Sequence, residues 1–363
     1  MALNIGIIGL PNVGKSTLFN ALTRAGVEAS NYPFCTVEPN VGVVEVPDQR
    51  LQRLNELLRP EACIPSFVHF VDIAGLVRGA SLGEGLGNRF LARIREVDAL
   101  VHLVRCYESG NVPHVDGSVD PVRDVETVET ELKMADLESA ERIARRLEKV
   151  LRSDPRAPER DAYDALGLAI DGLGRSVPVR EQDLTEAQSE ALITYNFLTA
   201  KPVLYVSNVS ETDLPDGGAA TARLRARVGM NNVLPLAAQI EAELGELPPA
   251  DRELFVADMG LNQPGVSRLI RAGYALLGLI TFYTTANEKL QAWEVREGTR
   301  AAAAAGRIHS DMERGFIRAE VAAYQDVLAA GSIASLRETG RVRAEGGHYA
   351  VRDGDVIRFL FNE

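Results

Sequence analysis

The octapeptide Gly9-Leu10-Pro11-Asn12-Val13-Gly14-Lys15-Ser16 constrains this chain most. It fits GxxxxGK[ST] and lies between an apolar run, Ile5–Ile8, and a helix starting near Thr17. Chemistry explains the pattern. Glycines let backbone N–H groups turn inward around a polyphosphate, and the helix N-terminus behind them adds positive potential. Lys15 supplies a point charge for the β- and γ-phosphates, and the Ser16 hydroxyl is a ligand for Mg²⁺. The expected phosphate-binding set is therefore Asn12, Val13, Gly14, Lys15, Ser16 and Thr17, with Lys15 also catalytic. Strand, loop and helix in that order predict a doubly wound parallel α/β sheet with its ligand at the carboxyl ends of the strands.

Three further runs fit such a sheet: Phe67–Val71, Ala99–Val104 and Pro202–Val206. Between the last two the period changes. Leu137, Ala140, Ala144, Leu147 and Leu151 form a coiled-coil seam, and Leu184, Ala187, Ala191, Tyr195 and Leu198 repeat it. Residues 127–199 thus read as a helical hairpin inserted between neighbouring strands. After Leu277 the pattern turns to short strands at Thr281–Thr284, Leu290–Val295, Ile317–Val321 and Val356–Phe361, a separate α+β unit. The expected division is 1–277, carrying the 127–199 insertion, and 278–363.

More nucleotide-site signals follow in order. Asp72-Ile73-Ala74-Gly75 closes a strand, where the carboxylate can hold Mg²⁺ through water and the Gly75 N–H can sense a γ-phosphate. Thr36 lies between the loop helix and that strand, placed to give the metal a second hydroxyl. Asn208-Val209-Ser210-Glu211 stands where a guanine-binding protein has NKxD. Here Val209 replaces the lysine and Glu211 the aspartate, which relaxes the guanine requirement; the residues themselves leave the base open. Ala237-Ala238 falls where backbone amides flank the base. Leu76 occupies the position of a water-orienting glutamine and cannot hydrogen-bond water, so turnover should be slow unless another group acts. His114, after the Ala99–Val104 strand, is the candidate, and a plain surface-loop histidine is the competing reading.

The charge of −12 argues against binding nucleic acid by bulk attraction, although residues 278–363 carry 11 basic and 12 acidic side chains and are close to neutral. Three scattered cysteines form no disulfide framework, the five histidines show no metal-ligand spacing, and no apolar stretch approaches the ~20 residues that span a bilayer. With no leader pattern at Met1–Gly9, the expectation is a soluble protein of a reducing cytoplasm with no membrane partner.

Gly9–Ser16, Asn31-Tyr32-Pro33-Phe34-Cys35-Thr36, Asp72–Val77 and Asn208–Glu211 together closely resemble the Obg-like ATPase family, YchF. Gly315–Val321 and Asp353-Gly354-Asp355-Val356 look like its C-terminal TGS domain. The resemblance implies a P-loop GTPase-like α/β domain with an inserted antiparallel coiled coil and a ubiquitin-like (β-grasp) TGS domain. It implies ATP over GTP, with Asn208 and the Val209 backbone reading adenine, Glu211 and Ala238 beside the base, and His114 assisting water attack. The catalytic set is then Lys15, His114 and Gly75, and the metal set Ser16, Thr36 and Asp72. The expected ligands are ATP and Mg²⁺, with a monovalent cation as a further candidate. Expected partners are the large ribosomal subunit or RNA, held through the coiled coil and TGS domain. Two functions stay open at this point: an ATP-hydrolysing switch acting on the translation machinery, and a nucleotide-gated ribosome- or RNA-binding module whose turnover is incidental.

Overall fold

The computed structural model describes residues 3–25, 40–73 and 86–362. Six strands form a first sheet: β1 (Asn4–Ile8), β2 (Val41–Glu45), β4 (Phe67–Asp72), β5 (Ala99–Arg105), β6 (Val203–Asn208) and β7 (Val233–Leu236), in the order β2-β4-β1-β5-β6-β7. The four apolar runs of the sequence are β1, β4, β5 and β6. β1 pairs in parallel with β4 and β5, and β5 with β6 from Leu100↔Val203 to Arg105↔Asn208. The 127–199 segment does interrupt neighbouring strands. Parallel strands covered on both faces need apolar side chains throughout, and all seven residues of β5 are buried.

The insertion differs from the expected hairpin. Its long helix, Pro121–Ser153, starts at Asp120, whose carboxylate accepts the Val122 and Arg123 N–H groups. Its antiparallel partner is the helix Arg160–Gly174, where Ala165, Leu166, Ala169 and Leu173 pack with Ala140 and Leu147. The 184–198 stripe instead forms a short helix, Glu186–Ile193, opened by a Thr185/Gln188 capping box. The helix closes at Thr194, and two residues on the left-handed backbone of Asn196, at φ 51°, keeps the chain from resuming it. Buried Asp136 then takes the N–H groups of Leu198 and Thr199 at 2.9 and 2.7 Å, which leads the chain into β6.

A second sheet contains β3 (Ala62–Ile64), β8 (Leu279–Ala286), β9 (Lys289–Arg296), β10 (Phe316–Ala323), β11 (Arg343–Glu345) and β12 (Asp355–Phe361), ordered β11-β10-β12-β8-β9-β3. Strand periodicity sends neighbours to opposite faces: Phe282, Val321 and Ile357 join one core, while Tyr283, Ala322 and Val356 join the other. The four C-terminal strands expected from sequence are present as β8, β9, β10 and β12.

The compact units divide as Met1–Gly42 with His69–Leu269, and Val43–Val68 with Ile270–Glu363, rather than at Leu277/Gly278. The second unit takes in 43–68 because β3 pairs with β9 and the helix Gln49–Leu58 buries Leu51 and Leu54 in that unit's core. A polar clamp fixes this helix. Arg50 grips Asp353 through two nitrogens at 2.7 and 3.2 Å, and Asp48 receives the Tyr283 hydroxyl. Arg50→Ala should lower the stability of this unit by roughly 1–2 kcal/mol, because the pair is partly solvated. Arg50→Lys should recover only part, since an ammonium cannot reproduce the fork. Fluorescence of Trp293, the only tryptophan, reads the midpoint in denaturant; an unshifted midpoint would remove the clamp from the account.

Among the described residues no helix is long and apolar enough to cross a membrane. Cys63 and Cys106 are free, and Cys35 lies outside the described residues.

Candidate functional site

The phosphate loop leaves the carboxyl end of β1 and enters the helix Lys15–Ala25. Its shape depends on glycine at two points. Gly9 has φ +151° and a Cβ there would lie 2.4 Å from the Leu103 carbonyl oxygen; Gly14 has φ +99° and a Cβ there would lie 2.6 Å from Asn208 Nδ2. Val13 is buried beneath the loop, while Asn12 and Ser16 are exposed and Thr17 half-buried.

Lys15 folds back over its own loop, donating from Nζ to the carbonyls of Gly9 at 3.0 Å and Leu10 at 2.8 Å. Burial lowers its pKa to about 8, with the charge of Asp72 opposing. Asp72 ends β4 opposite Ile7 of β1. Burial raises its carboxyl pKa and Lys15 pulls it back. Its Oδ1 is buried with no hydrogen-bond partner among the described groups. An unpartnered buried carboxylate oxygen, together with the Ser16 hydroxyl, is the hard oxygen chemistry that suits Mg²⁺. Thr36, Gly75 and Leu76 lie outside the described residues.

Asn208 is a strut. Nδ2 donates to the Val13 carbonyl at 2.8 Å, and Oδ1 accepts the Ala238 N–H at 3.0 Å. Both bonds are buried and tie the phosphate loop to the start of the helix Ala238–Leu244. In this arrangement the Ala238 N–H is engaged by Asn208, and Asn208 keeps one N–H for a ligand. Val209 is buried and donates its N–H to Leu236 O at 2.9 Å, so its carbonyl is the backbone group left for a base. Glu211 sits exposed on the turn Glu211–Asp213.

His114 follows neither sequence reading. Its loop reaches the site, since Asn12 Nδ2 donates to Pro113 O at 3.3 Å. The ring is buried, with a side chain 4% exposed, so it is not a surface histidine. It is also fully engaged. Nε2 lies 2.8 Å from Asp124 Oδ2, and Nδ1 accepts the Asp116 N–H at 3.1 Å. In this arrangement no ring nitrogen is free to align water. The sequence did not point to Asp124; its only signal was the Asp120-Pro121 helix start, which sets Asp124 one turn in.

The family described as "50S ribosome-binding GTPase" matches residues 4–151, and the YchF GTPase C-terminal family, described as "Protein of unknown function (DUF933)", matches 279–362. The "Ribosome-binding ATPase YchF" of Bacillus subtilis (strain 168) is 47% identical over 369 aligned residues, covering 100% of both chains. That of Escherichia coli O157:H7 is 44% identical over 367, again covering 100% of both. The solved structure of the Schizosaccharomyces pombe YchF GTPase is 32% identical, with a TM-score of 0.89 over 99% of this chain and 97% of that one.

Proposed function

This chain belongs to the YchF family, and from that membership we propose that it is an ATPase that binds ATP with Mg²⁺ and works with the ribosome. One observation carries the chemistry: the buried, unpartnered Asp72 Oδ1 and the Lys15 ammonium couple electrostatically at a loop where Gly9 and Gly14 admit no side chain. Lys15 exchanges the Gly9 and Leu10 carbonyls for the β- and γ-phosphates, which return it to a fully charged state. Ser16 and Asp72, with Thr36, would hold Mg²⁺, and the ion would draw charge from the phosphates during in-line attack. Gly75 senses the γ-phosphate, and a monovalent cation beside the phosphates is a further component of this reading.

For the base, the buried Val209 and exposed Glu211 support adenine. A guanine pocket would use a lysine and a carboxylate held at the base edge. The Val209 carbonyl accepts from the adenine amino group, and the free Asn208 N–H adds a second contact. His114 aligns the water once its ring is released. The helical insertion and the C-terminal unit, read as a TGS fold, form the grip on the large ribosomal subunit or its RNA. One observation favours the second reading, a nucleotide-gated binding module with incidental turnover: both His114 nitrogens are engaged, so basal hydrolysis should be slow.

Competition titration should place ATP well ahead of GTP, and Val209→Lys with Glu211→Asp should return part of the guanine affinity. Equal displacement by GTP would overturn the base assignment. Adding ribosomes should raise hydrolysis; tight co-sedimentation at unchanged turnover would favour the binding module instead.

A further inference from the structure

We propose that Asp124 is a latch: it parks His114 against the first turn of the long insertion helix, and turnover is gated by breaking that contact. The inference rests on the reading of His114 as the group that aligns water. Because Nδ1 accepts the Asp116 N–H, the ring proton sits on Nε2 and is donated to Asp124. In a catalytic His–Asp pair the carboxylate holds one nitrogen and the other faces the reacting atom. Here the other nitrogen is closed by backbone, so the pair holds the ring away from water.

The latch is stitched on both sides. Asp124 is 2% exposed, and its Oδ1 accepts from Arg123 Nη2 at 3.1 Å and Nε at 3.4 Å. Arg123 also binds the Ser118 hydroxyl at 3.0 Å and lies 3.6 Å from Asp116 Oδ2. The ligand atoms of His114, Asp116 and Asp124 lie within 4.8 Å of one another, spacing that could suit a metal. The guanidinium already inside the cluster supplies its positive charge, which makes a cation a poor occupant.

Leverage comes from the helix. Asp124 lies in the first turn of Pro121–Ser153, and the same 33-residue helix carries Ala140 and Leu147 into the core of the insertion. A macromolecule that grips the insertion and shifts this helix therefore moves Asp124 away from His114. Pro113 stays tied to Asn12, so the released ring remains beside the phosphate loop. The loop supplies the reach and the helix supplies the signal.

The test is single-turnover ATP hydrolysis beside an ATP titration, on the full chain, for wild type, Asp124→Ala, Asp124→Asn, His114→Ala and the Asp124→Ala/His114→Ala double variant. Asp124→Ala should speed hydrolysis by about tenfold at unchanged affinity, the size expected when one hydrogen bond to a charged group no longer holds the ring. Asp124→Asn keeps the helix turn and an acceptor oxygen, guards against misfolding, and should give a smaller rise. The double variant should fall to the His114→Ala rate. Ring ¹⁵N spectra of the nucleotide-free wild type should show the Nε2-protonated tautomer. Slower hydrolysis in both Asp124 variants, with His114→Ala also slow, would make Asp124 an aligning partner and overturn the latch alone. A rise that survives in the double variant, or an Nδ1-protonated ring, would overturn it too. An unchanged His114→Ala rate would overturn the reading of His114, and the gate with it.

Discussion

Replacing Lys15 with alanine should lower ATP affinity by roughly a hundredfold to a thousandfold and abolish nearly all hydrolysis. The loss corresponds to roughly 3–4 kcal/mol, about two charge-assisted contacts to phosphate oxygens. The same residue fixes a pH signature. Without nucleotide the folded protein holds the Lys15 proton only to about pH 8, against 10.5 in the unfolded chain. Between those values the unfolded state binds more protons, so the stability contributed by this group rises with pH. ATP reverses the sense, because the phosphates need the ammonium. Wild-type affinity should be flat below about pH 8 and weaken above it, with proton uptake on binding near pH 8–9. Calorimetry in buffers of different ionisation enthalpy measures that uptake. Lys15→Ala should show neither the uptake nor the slope. Wild-type affinity in the variant would remove Lys15 from the phosphate site.

The phosphate loop and the central strands were legible because their signals are local. A glycine-rich turn, a lysine and a helix start are contiguous, and strands buried on both faces read as unbroken apolar runs. β3 was not legible: Ala62-Cys63-Ile64 is three residues long, and it pairs with β9 from more than two hundred residues away. The insertion's return leg was misread for a related reason. Leu184, Ala191 and Tyr195 do pack in the insertion's core, so their spacing was informative. The stop after Ile193 and the left-handed turn at Asn196 are backbone features that spacing does not encode. At the site, residue types announced Lys15, Asp72 and Asn208. What their polar atoms bind could not be read, because those partners are backbone groups brought close only by folding. The pairing of His114 with Asp124 belongs to the same class.

Asn208→Ala should strongly destabilise the first unit's framework around the phosphate loop. It leaves the Val13 carbonyl and the Ala238 N–H buried without partners, each costing about 1–3 kcal/mol, so a loss of roughly 2–6 kcal/mol is expected. Trp293 lies in the other unit and will not report this. Hydrogen exchange in the 9–16 and 236–244 segments should, as faster exchange in both. Asn208→Asp separates two accounts of the residue. The aspartate can still accept the Ala238 N–H, but it sets its other oxygen where Nδ2 now meets the Val13 carbonyl at 2.8 Å. Two acceptors at that distance repel, and the new charge lies beside a site for polyphosphate. Asn208→Asp should therefore bind ATP more weakly than Asn208→Ala, although it removes fewer atoms. A strut shapes the loop for any nucleotide, so in Asn208→Ala the ATP and GTP affinities should fall by similar factors. If ATP affinity alone collapsed while GTP binding and loop exchange stayed at wild-type values, Asn208 would be a base reader and the strut incidental.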